Sequence, residues 1–272
     1  MADEIESFKL ICQGGLNSNE NHLELSENKS GAATRLVNFE PSLYGGYRRI
    51  EGYTHLGNID TTVGGSATEG KVLGVALYKN EHIGNPYFIA ARKDVGANTY
   101  KFYKFIPFSG WQVIANQPTR NTVSGSLTIN KIRHVQFDWG NGSTICFVDG
   151  INPAVVFDGT NWYELLQANS GGASSPGGNQ IVDAPSIVGE YQNHLWVGGD
   201  LTSRATIRHS APNDPYTWTS AAGGGSLSPA FNITQIKPFR DDLFVFGTNA
   251  IKKVSTTKNS SGGITFTLDS VT

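Results

Sequence analysis

Six histidines stand at His22, His55, His82, His134, His194 and His209. No two have the i, i+4 spacing of a helix or an H-x-H spacing, so a metal centre has little support. Arg208, His209 and Ser210 are adjacent, but a strand sends neighbouring side chains to opposite faces, so they would not converge on one substrate. Asp138 with Asp149, or the pair Asp241-Asp242, offer carboxylates to calcium without the spacing of an EF-hand loop. Solvated turn residues are the plainer reading. The Gly-Gly pairs lack the Lys-Ser/Thr that a phosphate loop requires.

Two constellations point toward sugars. The run Val156-Phe-Asp-Gly-Thr-Asn-Trp162 has the Asp, Gly and Trp of a sialidase-type Asp-box turn but not its leading Ser. It occurs once and reads better as a pinned hairpin. Arg48, Arg49, Arg92, Arg133, Arg204, Arg208 and Arg240 could supply an arginine triad, as could those of any chain this long. Asn213, Asp214, Tyr216 and Trp218 would form a glycan platform if they clustered at a loop tip. Trp139, Trp162 and Trp196 lie in or beside strand-like runs, where packing is the simpler role. No catalytic, cofactor-binding or metal-binding residue is assigned.

The elements that carry these residues are strands. Apolar residues come in short runs rich in Val, Ile, Phe, Tyr and Thr, bounded by Gly, Asn and Asp. Helix candidates are weak: Ser30–Val37, with Ser30 as cap, and Trp162–Ala168. Four segments repeat a pattern of apolar strand, polar turn, strongly apolar strand, turn and further strand. They begin at Val72, Ile132, Ile187 and Ile233, and Phe147, Trp196 and Phe244 hold equivalent places. A period of roughly 40–50 residues with several strands each is a propeller-blade signal. The expected fold is all-β, with β-propeller-like repeated antiparallel sheets making about four to five blades, the ring open or complete. In Leu243-Phe-Val-Phe every residue is apolar, so both faces of that strand should be covered. Tyr100-Lys-Phe-Tyr-Lys-Phe alternates, as a strand with a wetter face should.

Residues 71–272 form the repeat domain, and residues 1–70 an irregular N-terminal arm or closing element. Ser170–Asn179 and Ala221–Ser226 read as flexible surface loops. The 32 glycines exceed the usual share of roughly 7%, which implies many tight turns. The net charge of −2 shows no basic cluster for nucleic acid. No apolar run approaches the roughly 20 residues of a membrane span, and the acidic start Met1-Ala-Asp-Glu is not a signal peptide. Cys12 and Cys146 lie far apart, and buried free thiols are the simpler expectation beside a disulfide.

The succession Gly14-Gly-Leu-Asn, Leu23-Glu-Leu, Gly31-Ala-Ala-Thr-Arg-Leu-Val-Asn-Phe and Gly46-Tyr-Arg-Arg-Ile-Glu-Gly-Tyr is similar to the start of tailed-bacteriophage virion proteins. His209-Ser-Ala-Pro-Asn-Asp-Pro-Tyr-Thr-Trp and Asp242-Leu-Phe-Val-Phe-Gly also look like phage propeller proteins. Tail nozzle and tail-tube proteins are the nearest type, although this chain is shorter than a nozzle protein. The resemblance implies a non-enzymatic structural part of the virion, assembled in the host cytoplasm. Its partners would be other virion structural proteins, in a homo- or hetero-oligomer, with no cofactor, no specific nucleic-acid binding and no membrane insertion. Gly14, Gly15, Arg48 and Arg49 are the interface candidates. The alternative is a glycan- or receptor-binding propeller of the same particle or, further off, a sialidase-like glycosidase.

Overall fold

The computed structural model describes residues 70–80, 84–94, 96–129, 131–140, 142–165, 184–200, 203–258 and 263–271, and before them 16, 32–33, 35, 37–41, 47–50 and 52. The chain divides into two compact units, Met1–Leu56 and Gly57–Thr272. In the first, β1 (Phe39–Pro41) pairs antiparallel with β2 (Tyr47–Arg49). Ala33 makes an isolated bridge with Leu16, so the described part of Ser30–Val37 is not helical.

The second unit is all-β. Its first sheet runs β3 (Val72–Tyr78), β4 (Tyr87–Lys93), β5 (Thr99–Ile106), β6 (Gly110–Val113), with β7 (Arg120–Asn121) also paired to β5. A small ribbon of β8 (Val123–Ser124) and β9 (Leu127–Thr128) leads to the second sheet. That sheet is β10 (Arg133–Asp138), β11 (Ser143–Val148), β12 (Ala154–Phe157), β13 (Trp162–Leu165). The third is β14 (Ile187–Tyr191), β15 (His194–Gly198), β16 (Ile207–His209), β17 (Gly225–Leu227). The fourth is β18 (Ile233–Phe239), β19 (Asp242–Gly247), β20 (Ile251–Lys258), β21 (Ile264–Ser270). Each is an antiparallel meander, and each begins where a sequence repeat begins.

Two expectations fail here. Trp162–Leu165 is a strand because the Asp158-Gly159 turn folds it back onto β12, which places Trp162 on Phe157 and Phe102, 4.4 and 4.8 Å between ring centroids. Ala221–Ser226 is not a loose loop. A 3-10 turn at Ser220–Ala222 ends on Gly223 (φ 94°), and the edge strand β17 begins at Gly225.

The sheets stack because their strands are apolar on both sides. Ile145, Phe147, Val155 and Phe157 of the second sheet pack on Leu73, Ala76, Ile89, Ala91 and Phe102 of the first. The alternate residues Cys146, Val148, Ala154 and Val156 pack on Val188, Leu195 and Val197 of the third. The third sheet's Ile187, Trp196 and Ile207 then meet Ile236, Leu243, Val245, Val254 and Phe266 of the fourth. Burying each such side chain contributes about 1.5–3 kcal/mol. The first strands meet in succession, β3 with β10, β10 with β14, β14 with β18. Gly74 permits the first of these approaches: a Cβ there would lie 3.0 Å from the Ile132 carbonyl oxygen.

The pleat also corrects the equivalence of Phe147. Trp196 faces the following sheet and Phe244 points the same way, whereas Phe147 faces the preceding one. A shift of one residue reverses the face, so the second repeat is offset by one position.

Two polar clusters lie inside this packing. Arg120 is wholly buried and donates to Asp149 Oδ2 (3.2 Å), the Pro153 carbonyl (2.7 Å), Glu164 Oε1 (3.3 Å) and the Tyr100 hydroxyl oxygen (3.2 Å). Tyr100 donates to Asp149 Oδ2 at 2.7 Å, and Asp149 Oδ1 accepts from the Ile151 and Asn152 amides. Asn152 bonds both backbone groups of Asn121, clipping β7 to the β11–β12 turn. Burial pushes the Tyr100 hydroxyl up and opposes the charge on Arg120, but Tyr100 and Asp149 hold that guanidinium above its ordinary value. In the third sheet, His194 Nδ1 (2.5 Å) and His209 Nδ1 (3.2 Å) share the Ser210 carbonyl. A carbonyl only accepts, so both rings carry their proton on Nδ1. Phe266 of β21 packs edge-on against both rings.

Arg120→Ala leaves Asp149 buried without its cation and should cost about 3–5 kcal/mol. Urea denaturation reads this directly, and a loss below about 1 kcal/mol, the scale of a surface pair, would refute that role for the Arg120–Asp149 pair. The histidines give an acid response. Burial pushes His209 down to about 4, with His194 adding to the shift and the Ser210 carbonyl opposing it; burial lowers His194 too. The unfolded chain, with His near 6.5, therefore binds more protons than the folded chain between pH 6.5 and 4. The stability is complete above pH 6.5 and falls through that window, by about 3 kcal/mol for His209 alone. His209→Gln keeps a donor for Ser210 and should flatten that part of the pH profile of unfolding.

Candidate docking faces

The second and third sheets are covered on both sides, and the first and fourth on one side each. No core cluster and no extensive contact joins the first sheet to the fourth among the described residues. Each terminal sheet therefore turns an outer face away from the stack.

On the first sheet, register sets the outer face. Leu77 pairs with Phe88, Val75 with Ala90 and Val72 with Arg92. Val72, Val75 and Leu77 are 53%, 52% and 55% exposed and Phe88 is 40% exposed. Their neighbours Leu73, Ala76 and Tyr78 on the same strand are buried in the core. Toward the far edge the face covers itself. Tyr103 is buried, and Phe105 packs on Trp111 at 5.4 Å. Burial raises the Tyr103 hydroxyl, with Asp94 adding to the shift and Arg92 opposing it.

On the fourth sheet, Lys237 pairs with Phe244 and Phe246 with Ile251, all pointing outward. Phe239 and Ile251 are 61% and 45% exposed, and Phe244 and Phe246 are half-buried. Phe239 packs on Phe244 at 6.2 Å, and the Arg240 guanidinium sits 5.4 Å over the Phe239 ring. Lys253 bonds Asp242 at 3.0 Å beside this patch, and the β20–β21 half is polar, with Thr265, Thr267 and Asp269 exposed. The expectation for Leu243-Phe-Val-Phe is thus met on one side only: Leu243 and Val245 are fully buried, while no sheet among the described residues covers Phe244 and Phe246.

The residues singled out from the sequence fall elsewhere. Trp218 is buried, its indole N–H donating to the Pro215 carbonyl at 2.9 Å, in the core between the second and third sheets. Tyr216 packs against Tyr163 at 5.2 Å, and burial raises its hydroxyl. Asp214 accepts from the Tyr216 amide at 2.8 Å; of the four, Asn213 alone is exposed, in a left-handed turn (φ 57°). This is a corner that packs, and it presents no aromatic platform to a sugar. Arg48 pairs with Glu40 at 2.5 Å across β1 and β2, and Arg49 is exposed on β2. Gly14, Gly15, Cys12 and the loop Ser170–Asn179 lie outside the described residues.

The Asp-box-like run is a hairpin turn: Asp158 Oδ1 accepts from the Thr160 and Asn161 amides at 2.8 and 2.6 Å. Asp138 and Asp149 sit at opposite ends of β11, and the latter is committed to Arg120. Among the described residues no group of three or more His, Cys, Asp or Glu could hold a metal ion. Cys146 is a buried free thiol, pushed up to about 12 by burial, with Arg120 opposing the shift. Arg120 and the convergence of His194 with His209 were not legible as sites. Both depend on which strands become neighbours, and no local motif marks them.

No protein-family model and no curated protein matches the chain. Among solved structures it is similar to a crystal structure of BBS1N in complex with ARL6DN, soaked with lead. The identity is 13% and the TM-score 0.31, over 71% of this chain and 67% of that one. A likeness of that size says nothing of what this chain binds.

Proposed function

We propose that this chain is a non-enzymatic structural component of a phage particle, a row of β-propeller-type blades that holds neighbouring virion subunits. The supporting observation is the pair of outer faces on the terminal sheets. Among the described residues every other face of the four larger sheets is covered by its neighbour, and these two keep apolar side chains in water. Exposed apolar patches of this kind mark interaction surfaces. On the fourth sheet the apolar patch is bordered by the polar β20–β21 half, as a protein interface has a polar rim. The resemblance to tail nozzle and tail-tube proteins supplies the setting. The chain would work by being held and holding, with its place in the virion fixed by sheet packing.

The test is composition. Particles purified from a host carrying this gene, and quantified by mass spectrometry, should contain the chain at a fixed ratio to the shell protein. The substitution Leu77→Lys, at an exposed position, should lower that ratio roughly 10-fold or more while leaving the isolated chain folded, with an unchanged circular-dichroism spectrum. Its absence from purified particles would overturn the reading.

A further inference from the structure

We infer that two copies of this chain close into a single ring, the outer face of the first sheet in each copy packed on the outer face of the fourth sheet in the other. This rests on the reading that the faces are docking surfaces and names what docks.

Three observations carry it. The first is continuity. Within the chain, each sheet interface is formed by one face of a meander against one face of the next, with the opening strands in succession along the inner side. The exposed apolar residues lie on that same inner side of each terminal sheet: Val72, Val75, Leu77 and Phe88 on β3 and β4, and Phe239, Phe244, Phe246 and Ile251 on β18 to β20. A further sheet in the same arrangement would cover them. The second is sequence pattern. Both Val72-Leu-Gly-Val-Ala-Leu-Tyr and Leu243-Phe-Val-Phe are apolar throughout, the pattern of strands covered twice.

The third is size. Four strands spaced about 4.8 Å apart and some six residues long present roughly 20 by 20 Å, or about 400 Å². One contact of two such faces buries about 800 Å², the size of a packing accident, whereas two contacts made together bury about 1,600 Å², the standard for a stable complex. A two-fold pair makes both at once and leaves neither face open. Its eight sheets fall within the roughly four to eight blades of closed propellers.

The experiment uses the full purified chain and two exposed substitutions, Leu77→Lys on the first sheet and Ile251→Asp on the fourth. The native chain should scatter light as a dimer. Each variant alone should be a folded monomer, its dissociation constant weakened roughly 1,000-fold by two buried charges at about 30-fold each. Mixing the two variants should restore the dimer, because one contact is then native and the other sets Lys opposite Asp. A first-sheet-on-first-sheet contact would leave Ile251→Asp dimeric and would overturn the proposal. So would a native chain that is monomeric at every soluble concentration. A monomeric chain that still enters particles would overturn the ring and leave the structural reading standing; a dimer absent from particles would do the reverse.

Discussion

A strand with apolar side chains on both faces must be covered twice, and this constraint organises the second unit. Antiparallel strands send alternate side chains to opposite sides. When both sets are large and apolar, a single sheet cannot fold against water. The second sheet meets the demand with Phe147 and Phe157 on one side and Val148 and Val156 on the other. Each face it covers belongs to a sheet with the same need, so the solution propagates from sheet to sheet. A stack of this logic ends only where a face turns polar or where something else is supplied. The third sheet shows no such turn: Trp196 and Ile207 carry the demand into the fourth.

The buried polar groups serve the same stack. Arg120 is expensive to bury, and hydrogen bonds to Asp149, Glu164, Tyr100 and the Pro153 carbonyl offset that cost. What the cluster contributes is position. It joins β7, an appendage of the first sheet, to the turn of the second, and so fixes the angle at which two apolar faces meet. Asn152 repeats the join through the backbone of Asn121. Apolar packing alone is non-directional, and a directional clip gives the interface one register.

How far the sequence foretells this depends on the range of each interaction. The four sheets are legible because every one is a local meander whose strands and turns follow one another along the chain. The turn at Gln192-Asn193, with both residues left-handed (φ 52° and 61°), makes a two-residue hairpin that sequence could suggest. The Asp158 turn pins its hairpin through local hydrogen bonds and is legible for the same reason. Misreadings arise where a residue's role is set across sheets. Trp218 reads as a surface ring beside polar neighbours, and is buried because the corner after β16 folds over Val188 and Leu195. Phe147 reads as the partner of Trp196, and a one-residue offset turns it to the other side. Arg120 opens the two-residue strand β7, and only the packing of two sheets brings it to Asp149.

The terminal faces follow from this difference. β3 and β19 have the apolar pattern of strands covered on both sides, and strands of the second and third sheets with that pattern are so covered. The chain covers them once. Among the described residues six of the eight faces of these sheets are covered by intrachain packing, and on the remaining two an outward Leu77 or Phe239 gains little burial in an isolated stack and adds a risk of aggregation. Lys or Thr at those positions would serve a solitary chain better, and Thr265 and Thr267 show that the same sheet uses such residues where its face stays wet. The docking surface we propose would meet that pattern, and the inner side on which these residues lie sets the direction from which it would come.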